Sequence, residues 1–187
     1  VAFHNGKILN SGDVKWSLER TCNAKLNSPT ADMYLGDIVG AKDVLSGKAT
    51  TITGIETPDP YTVRIRIDQP RSYFLGKLTY PTAAILAKDS APTDAEVPAA
   101  TSLVGTGPFR IESYVVEQVV TAVPFDGYWG GRPKLDRIEW HIVKDQQTRI
   151  GQFRAGALDS VSIDRQAVAG LKADSSLAPS VVLHDRP

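Results

Sequence analysis

The chain has 187 residues, with 21 lysines and arginines balanced by 21 aspartates and glutamates. That length allows one domain or two small ones with a core that buries most of the apolar surface, and the lack of a basic field argues against nucleic acid or an anionic membrane as partner. No apolar stretch approaches the roughly 20 residues of a bilayer span, and the single cysteine, Cys22, has no internal disulfide partner.

Val1-Ala2-Phe3 reads as the end of a strand, followed by a turn at Asn5-Gly6. Ser11 or Asp13 is placed to cap a helix in which Val14, Leu18 and Cys22 share one face. Residues 23–32 read as a loop and 36–46 as a short helix that turns Ile38, Val39 and Leu45 inward, weakened by Gly36 and Gly40. Thr51 to Ile67 is a hairpin turning at Pro58-Asp59-Pro60, with Tyr61, Val63, Ile65 and Ile67 on the buried side of its return strand. Pro70 to Lys77 gives a helical turn or two, and Thr79 to Leu86 is extended. Residues 88–103, rich in Ala, Pro, Ser and Asp, read as a surface connection.

Two strands follow, 109–115 and 117–124. Between them and the next strand lies a glycine-rich turn, in which Tyr128 and Trp129 read as a corner plug. In the next strand, Ile138, Trp140 and Ile142 alternate with Arg137, Glu139 and His141. Asp145 caps a helix with Ile150, Phe153 and Ala157 as its apolar stripe, closed by Gly156. Ser160 to Ile163 reads as a short buried strand, 165–173 as a helix and 180–184 as a last strand. Interleaved helices and strands make the class α/β or mixed α+β. An opening inside one strand and a close on another read as a fragment excised from a larger protein.

Little in the chain suggests chemistry. Histidines at 4, 141 and 184 are far apart, and no His, Cys or acidic set has metal-ligand spacing. His141 reads as a solvated strand residue and Cys22 as core. Gly105-Thr106-Gly107 lacks the third glycine and the following helix of a dinucleotide loop. No nucleophile elbow or phosphate loop is present. The residues therefore announce no cofactor, metal or catalytic group, and by themselves name no function.

The most specific segments are Val104-Gly105-Thr106-Gly107-Pro108-Phe109 and the run from Asp126 through Tyr128-Trp129-Gly130-Gly131-Arg132-Pro133-Lys134-Leu135 to Asp136. Together with Phe3-His4-Asn5-Gly6, Asp13-Val14 before Ser17-Leu18, Gly36-Asp37-Ile38-Val39-Gly40 and Gly156-Ala157-Leu158-Asp159, they resemble the family 5 extracellular solute-binding proteins, receptors of bacterial ABC importers. Ala157 stands where the family usually has an acid. The resemblance implies part of a two-lobed periplasmic-binding-protein-like fold with mixed sheets and flanking helices. Residues 1–100 would be an extra domain attached to the first lobe, and 101–187 part of that lobe up to the hinge, the second lobe lying outside the chain. It implies a peptide or other small solute as ligand, a membrane permease as partner, and work at the periplasmic or extracellular face of the cytoplasmic membrane. Receptors for chelated nickel, a sugar or an opine, and a sensor or interaction domain on the same scaffold, are the alternatives. By resemblance Met33, Tyr34, Tyr80 and Thr82 face the ligand. Relatives that bind nickel place an arginine near Thr82, so threonine argues against that use. Separated from neighbouring structure, the fragment is expected to self-associate.

Overall fold

Asn10 starts the first helix. Its side-chain oxygen accepts from the backbone N–H groups of Gly12 and Asp13, while the Asp13 carboxylate accepts from the Asn10 N–H, a reciprocal capping box. The cap is thus one residue before Ser11, and Asp13 serves inside the first turn. Helix α1 (Ser11–Thr21) carries Leu18 into the core, followed there by its C-cap residue Cys22, with Val14 packed beside them. The computed structural model describes residues 1–184.

The segment at 23–32 is only partly a loop. It contains a single 3-10 turn at Ala24–Leu26 and the start of α2 (Ala31–Leu35). The helix expected over 36–46 is shorter, α3 (Ala41–Leu45). Gly40 at φ +85° precedes it in a left-handed conformation that interrupts any longer helix. Ile38 falls in the bend before it and bridges to Ile67. The hairpin is present as β1 (Ile55–Asp59) and β2 (Thr62–Ile65), antiparallel, with Ile55 opposite Ile65 and an irregularity between Glu56 and Asp59. Its turn lies at Pro60-Tyr61, one step later than the prolines suggest. Val63, Ile65 and Ile67 pack on the core as the alternation predicts, but Tyr61, on the turn itself, is exposed.

Helix α4 is one turn (Phe74–Lys77). The stretch expected to be extended over 79–86 instead holds a 3-10 turn at Pro81–Ala83, with proline at its first position where no N–H is needed. The core joining these pieces contains Leu18, Cys22, Leu35, Ile38, Val44, Ile52, Ile55 and Phe74. Residues 88–103 are irregular apart from two 3-10 turns, and they are fastened to α1. Ser17 exchanges hydrogen bonds with the backbone of Leu86, Trp16 Nε1 donates to Thr93 Oγ1, and Arg20 donates to the carbonyls of Pro92 and Ala95.

Strands β3 (Phe109–Val115), β4 (Val119–Pro124) and β5 (Ile138–His141) form a second sheet in the order β3-β4-β5. Alternation in β5 does not translate into burial, since Trp140 and Ile142 are both exposed. Helix α5 (Gln146–Arg154) is capped by Asp145, whose carboxylate accepts from the Thr148 N–H and hydroxyl, and Gly156 at φ +71° ends it. Ile150 is its buried residue, while Ala157 lies beyond the helix. A 3-10 turn at Arg165–Ala167 runs into α6 (Val168–Ala173). The strands expected at 160–163 and 180–184 are absent among the described residues. Their apolar runs find no neighbouring chain to pair with there. Residues 1–115 with 120–140 form one compact unit, and residues 116–119 with those from 141 onward form another.

Candidate functional site

The signature segments meet each other before they meet any ligand. The His4 N–H donates to the Gly105 carbonyl at 2.9 Å, and His4 Nε2 lies 3.0 Å from the Gly107 carbonyl. The His4 ring meets Phe125 edge-on at 5.1 Å, and the Phe125 N–H returns to the Pro108 carbonyl. The N-terminal turn, the Gly-Thr-Gly-Pro segment and the end of β4 are thus one hydrogen-bonded corner. Arg132 closes the glycine-rich turn, with its guanidinium 2.9 Å from both Asp126 and Asp136. Glycine at 127 and 130 leaves room for rings, since a Cβ at either would sit within 3 Å of Phe125 or Tyr128 carbons. Trp129 does not plug the corner. It is 67% exposed and tilted against Tyr128. The arginine bridge holds the turn, so the indole is not needed to do so.

The four residues singled out by resemblance lie on two short elements that pack together, α2 and the 3-10 turn at Pro81–Ala83. Tyr34 and Tyr80 stack face to face, with ring centroids 3.9 Å apart and planes at 7°. Thr82 Oγ1 is 2.7 Å from Thr30 Oγ1, which ties the turn to the start of α2. Met33, one residue before Tyr34, is 66% exposed, so it does not fill the core. Tyr34 leans on the core and Tyr80 is partly open to solvent. Partial burial, and then the adjoining Tyr80, raises the Tyr34 phenol above its ordinary value, against an opposite pull from Lys77.

An ion network borders this ledge. Lys77 Nζ sits 2.6 Å from Asp37, Arg71 lies 3.3 Å from the same carboxylate, and Arg71 also pairs with Asp68 at 3.0 Å. Both cations approach the face of Tyr73. Sequence reasoning misses Thr30, Asp37, Arg71 and Lys77. Asp37 and Lys77 are 40 positions apart, and no local spacing announces their pairing. The ledge offers aromatic faces, a thioether and hydroxyls, and holds no nucleophile with a base. No cluster of His, Cys, Asp or Glu suited to a metal occurs among the described residues. Cys22 is buried in the core, and burial followed by the nearby Asp32 and Glu19 pushes its thiol up to about 12. A separate cavity lies in the second unit, lined by Ile150, Phe153, Leu171, Leu177 and Val181 among others, and includes none of the four residues.

Residues 1–182 match the family described as bacterial extracellular solute-binding proteins, family 5 Middle. The glutathione-binding protein GsiB of Salmonella typhimurium is 30% identical over 157 residues, which cover 83% of this chain and 28% of that protein. Haemophilus influenzae OppA, solved in complex with RPPGFSPFR, aligns with a TM-score of 0.82 at 21% identity over 93% of this chain and 35% of its own. AgaA of A. tumefaciens R10, solved with agropinic acid, aligns with a TM-score of 0.75 at 26% identity over 93% of this chain and 33% of its own. The chain therefore spans 28 to 35% of the length of these relatives. The mixed helix-and-sheet class expected from the residues agrees with the solved folds, and the matched relatives are binders, not enzymes. The chain belongs to the family 5 bacterial extracellular solute-binding proteins.

Proposed function

We propose that this chain is part of the solute receptor of an ABC importer, which binds peptides or similar small solutes outside the cytoplasmic membrane and passes them to a membrane permease. The observation that carries the reading is the family match over residues 1–182. The Tyr34–Tyr80 stack, with exposed Met33 beside it and Thr82 fixing the turn, supports these four residues as this chain's share of the ligand surface. In this reading residues 1–100 are an extra domain of the first lobe, residues 101–187 continue that lobe toward the hinge, and a second lobe elsewhere in the parent closes over the ligand. A peptide suits such a cleft, because its main chain can be held in strand fashion while side chains enter pockets. The exposed Trp129, Trp140, Val182 and Leu183 support self-association of the isolated chain.

The similarity to AgaA favours a second reading, in which the solute is an opine. Thermal unfolding of the full-length parent separates the two. A pool of di- to pentapeptides, glutathione and agropinic acid would each be added in turn. A ligand at about 100 times its dissociation constant stabilises by about 2.7 kcal/mol, a shift of a few degrees. A shift with peptides or glutathione supports the peptide receptor. A shift with agropinic acid alone replaces it by the opine reading, and no shift with any of them removes both.

A further inference from the structure

Three contacts join α2 and its flanks to the segment that carries Tyr80, and they follow one another like rungs. Thr30 meets Thr82, Tyr34 stacks on Tyr80, and Asp37 holds Lys77. On the α2 side the residues recur at four and then three positions, the spacing of one helical face. On the other side the order is reversed, from Thr82 back through Tyr80 to Lys77, so the two segments pass in opposite directions. The outer rungs are polar, and the middle one is the ring pair proposed to meet the ligand.

The two sides are not equally firm. Asp37 stands on a fixed post: its carbonyl accepts from the Asp68 N–H at 3.0 Å, and the next residue, Ile38, is buried and bridges to Ile67. Helix α4 is a single turn in which Phe74 is the buried residue and Leu75 is exposed. Tyr80 follows it and is 43% exposed, whereas Tyr34 leans on the core. The Tyr80 ring is thus the less constrained of the two. One hydrogen-bonded turn leads from Lys77 to Tyr80, whose N–H donates to the Lys77 carbonyl at 3.2 Å. Lys77 Nζ lies 2.6 Å from the Asp37 carboxylate, with the two side chains only 21% and 13% exposed. Lys77 is also near enough to Tyr34 to act on its phenol. The ion pair therefore adjoins the stack and connects through one turn to its looser ring.

We infer that Asp37 and Lys77 are positioning residues for the ligand surface: their pairing fixes the Tyr80 ring against Tyr34 and presents it to the solute already oriented. The inference rests on the reading that Tyr34 and Tyr80 face the ligand. A ring held in place beforehand needs no ordering when the solute arrives, whereas a ring free to turn must be ordered at that moment. Lys77 acts through Tyr80 and needs no contact of its own with the solute. Asp37 keeps Arg71 as a second cation at 3.3 Å, so loss of the Lys77 charge does not strand a carboxylate.

The test uses the full-length parent, with calorimetry on whichever of glutathione, agropinic acid or the pooled di- to pentapeptides shifts its thermal unfolding most. Lys77→Met keeps the aliphatic stem and removes the charge. It should weaken binding about three- to tenfold, the cost of ordering one side chain. Lys77→Arg, which still reaches Asp37, should restore most of that loss. Tyr80→Ala completes a double-mutant cycle. With Tyr80 truncated there is no ring left to position, so adding Lys77→Met should weaken binding no further. Losses that multiply instead place Lys77 on the solute itself and overturn the inference. Unchanged affinity in either single variant overturns it as well, even where the unliganded protein melts lower, since the pair is then structural only. In each of these cases the receptor reading stands. If none of the probes shifts unfolding, the receptor reading fails and this inference fails with it.

Discussion

Asp13 offers the sharpest test of how the first unit holds together. Its side chain is 1% exposed and accepts from Lys7 Nζ at 3.1 Å, from the Asn10 N–H at 3.1 Å and from the Lys88 N–H at 3.2 Å. One carboxylate therefore joins the N-terminal turn, the start of α1 and the segment after Ala87. Asp13→Ala leaves two backbone donors without an acceptor, at about 1–3 kcal/mol each. Lys7 loses its main partner but is 35% exposed, so water compensates it in part. The sum is about 3–4 kcal/mol, within the range for breaking a buried ion pair. For a domain of this size, that lowers the melting temperature by about 6–15 °C. Urea unfolding followed by tryptophan fluorescence reads it, since Trp16 is buried on the same helix. Asp89 is the control. It also meets Lys7, at 3.4 Å, but its side chain is 80% exposed, so Asp89→Ala should cost under about 0.5 kcal/mol.

The same pair fixes a pH dependence. Burial alone would raise the Asp13 carboxyl, but hydrogen bonds from Lys7, Lys88 and Asn10 outweigh it and hold the group below its ordinary value. A carboxyl lowered in the folded state stabilises fully above its unfolded value of about 3.9, and this contribution fades as pH falls through the folded value. Lys7 is raised, chiefly by its hydrogen bond to Asp13, so its contribution is full below the ordinary lysine value and is lost as pH rises from there through the folded one. The gap between wild type and Asp13→Ala should be flat between about pH 5 and 9 and shrink outside that window. A loss under about 1 kcal/mol at pH 7, or a gap that does not shrink near pH 3, refutes the reasoning.

Three further outcomes are expected. Cys22, with its thiol pushed up to about 12, should resist thiol reagents in native buffer and react on unfolding; labelling within the mixing time would contradict its place in the core. Gly40→Ala should cost about 2 kcal/mol in chemical unfolding, because φ is +85° and the new Cβ would lie 2.5 Å from Thr53 Oγ1 and 2.9 Å from the Thr53 nitrogen. Tyr80→Ala should lower stability by only about 0.5–1.5 kcal/mol, the worth of an aromatic pair, while weakening the preferred ligand of the full-length parent about tenfold by calorimetry; unchanged affinity would remove Tyr80 from the ligand surface.

What the sequence reveals and conceals follows the range of the forces involved. Asp145 as a cap and Gly156 as a terminator are readable because both act within one helix. Residues 63, 65 and 67 are readable because alternation is a property of one strand against one core. Alternation at Trp140 and Ile142 misleads, because it announces a face that wants cover without saying whether cover is there. The apolar runs at 160–163 and 180–184 fail as strands for the same reason. A strand needs a neighbour, and β-propensity records only the willingness to have one. The fastening of residues 86–95 to α1 is illegible in sequence, since it rests on Ser17, Arg20 and backbone carbonyls some 70 positions away.

The family is easier to read than the ligand, and the structure gives a physical reason. His4 bonds to the carbonyls of Gly105 and Gly107, and Arg132 to the carboxylates of Asp126 and Asp136. These residues fix how one turn meets another, a geometry that does not depend on any ligand. The ledge is built differently. The Tyr34–Tyr80 stack joins residues 46 positions apart, on a five-residue helix and a 3-10 turn that neither periodicity nor capping announces clearly. Nothing in the corner needs these particular side chains, so they are free to suit a ligand. A motif strong enough to name the family is, on this chain, a motif spent on architecture. The residues that border the ledge, Asp37, Arg71 and Lys77, are the quiet ones, because their pairing spans up to 40 positions and follows no local spacing.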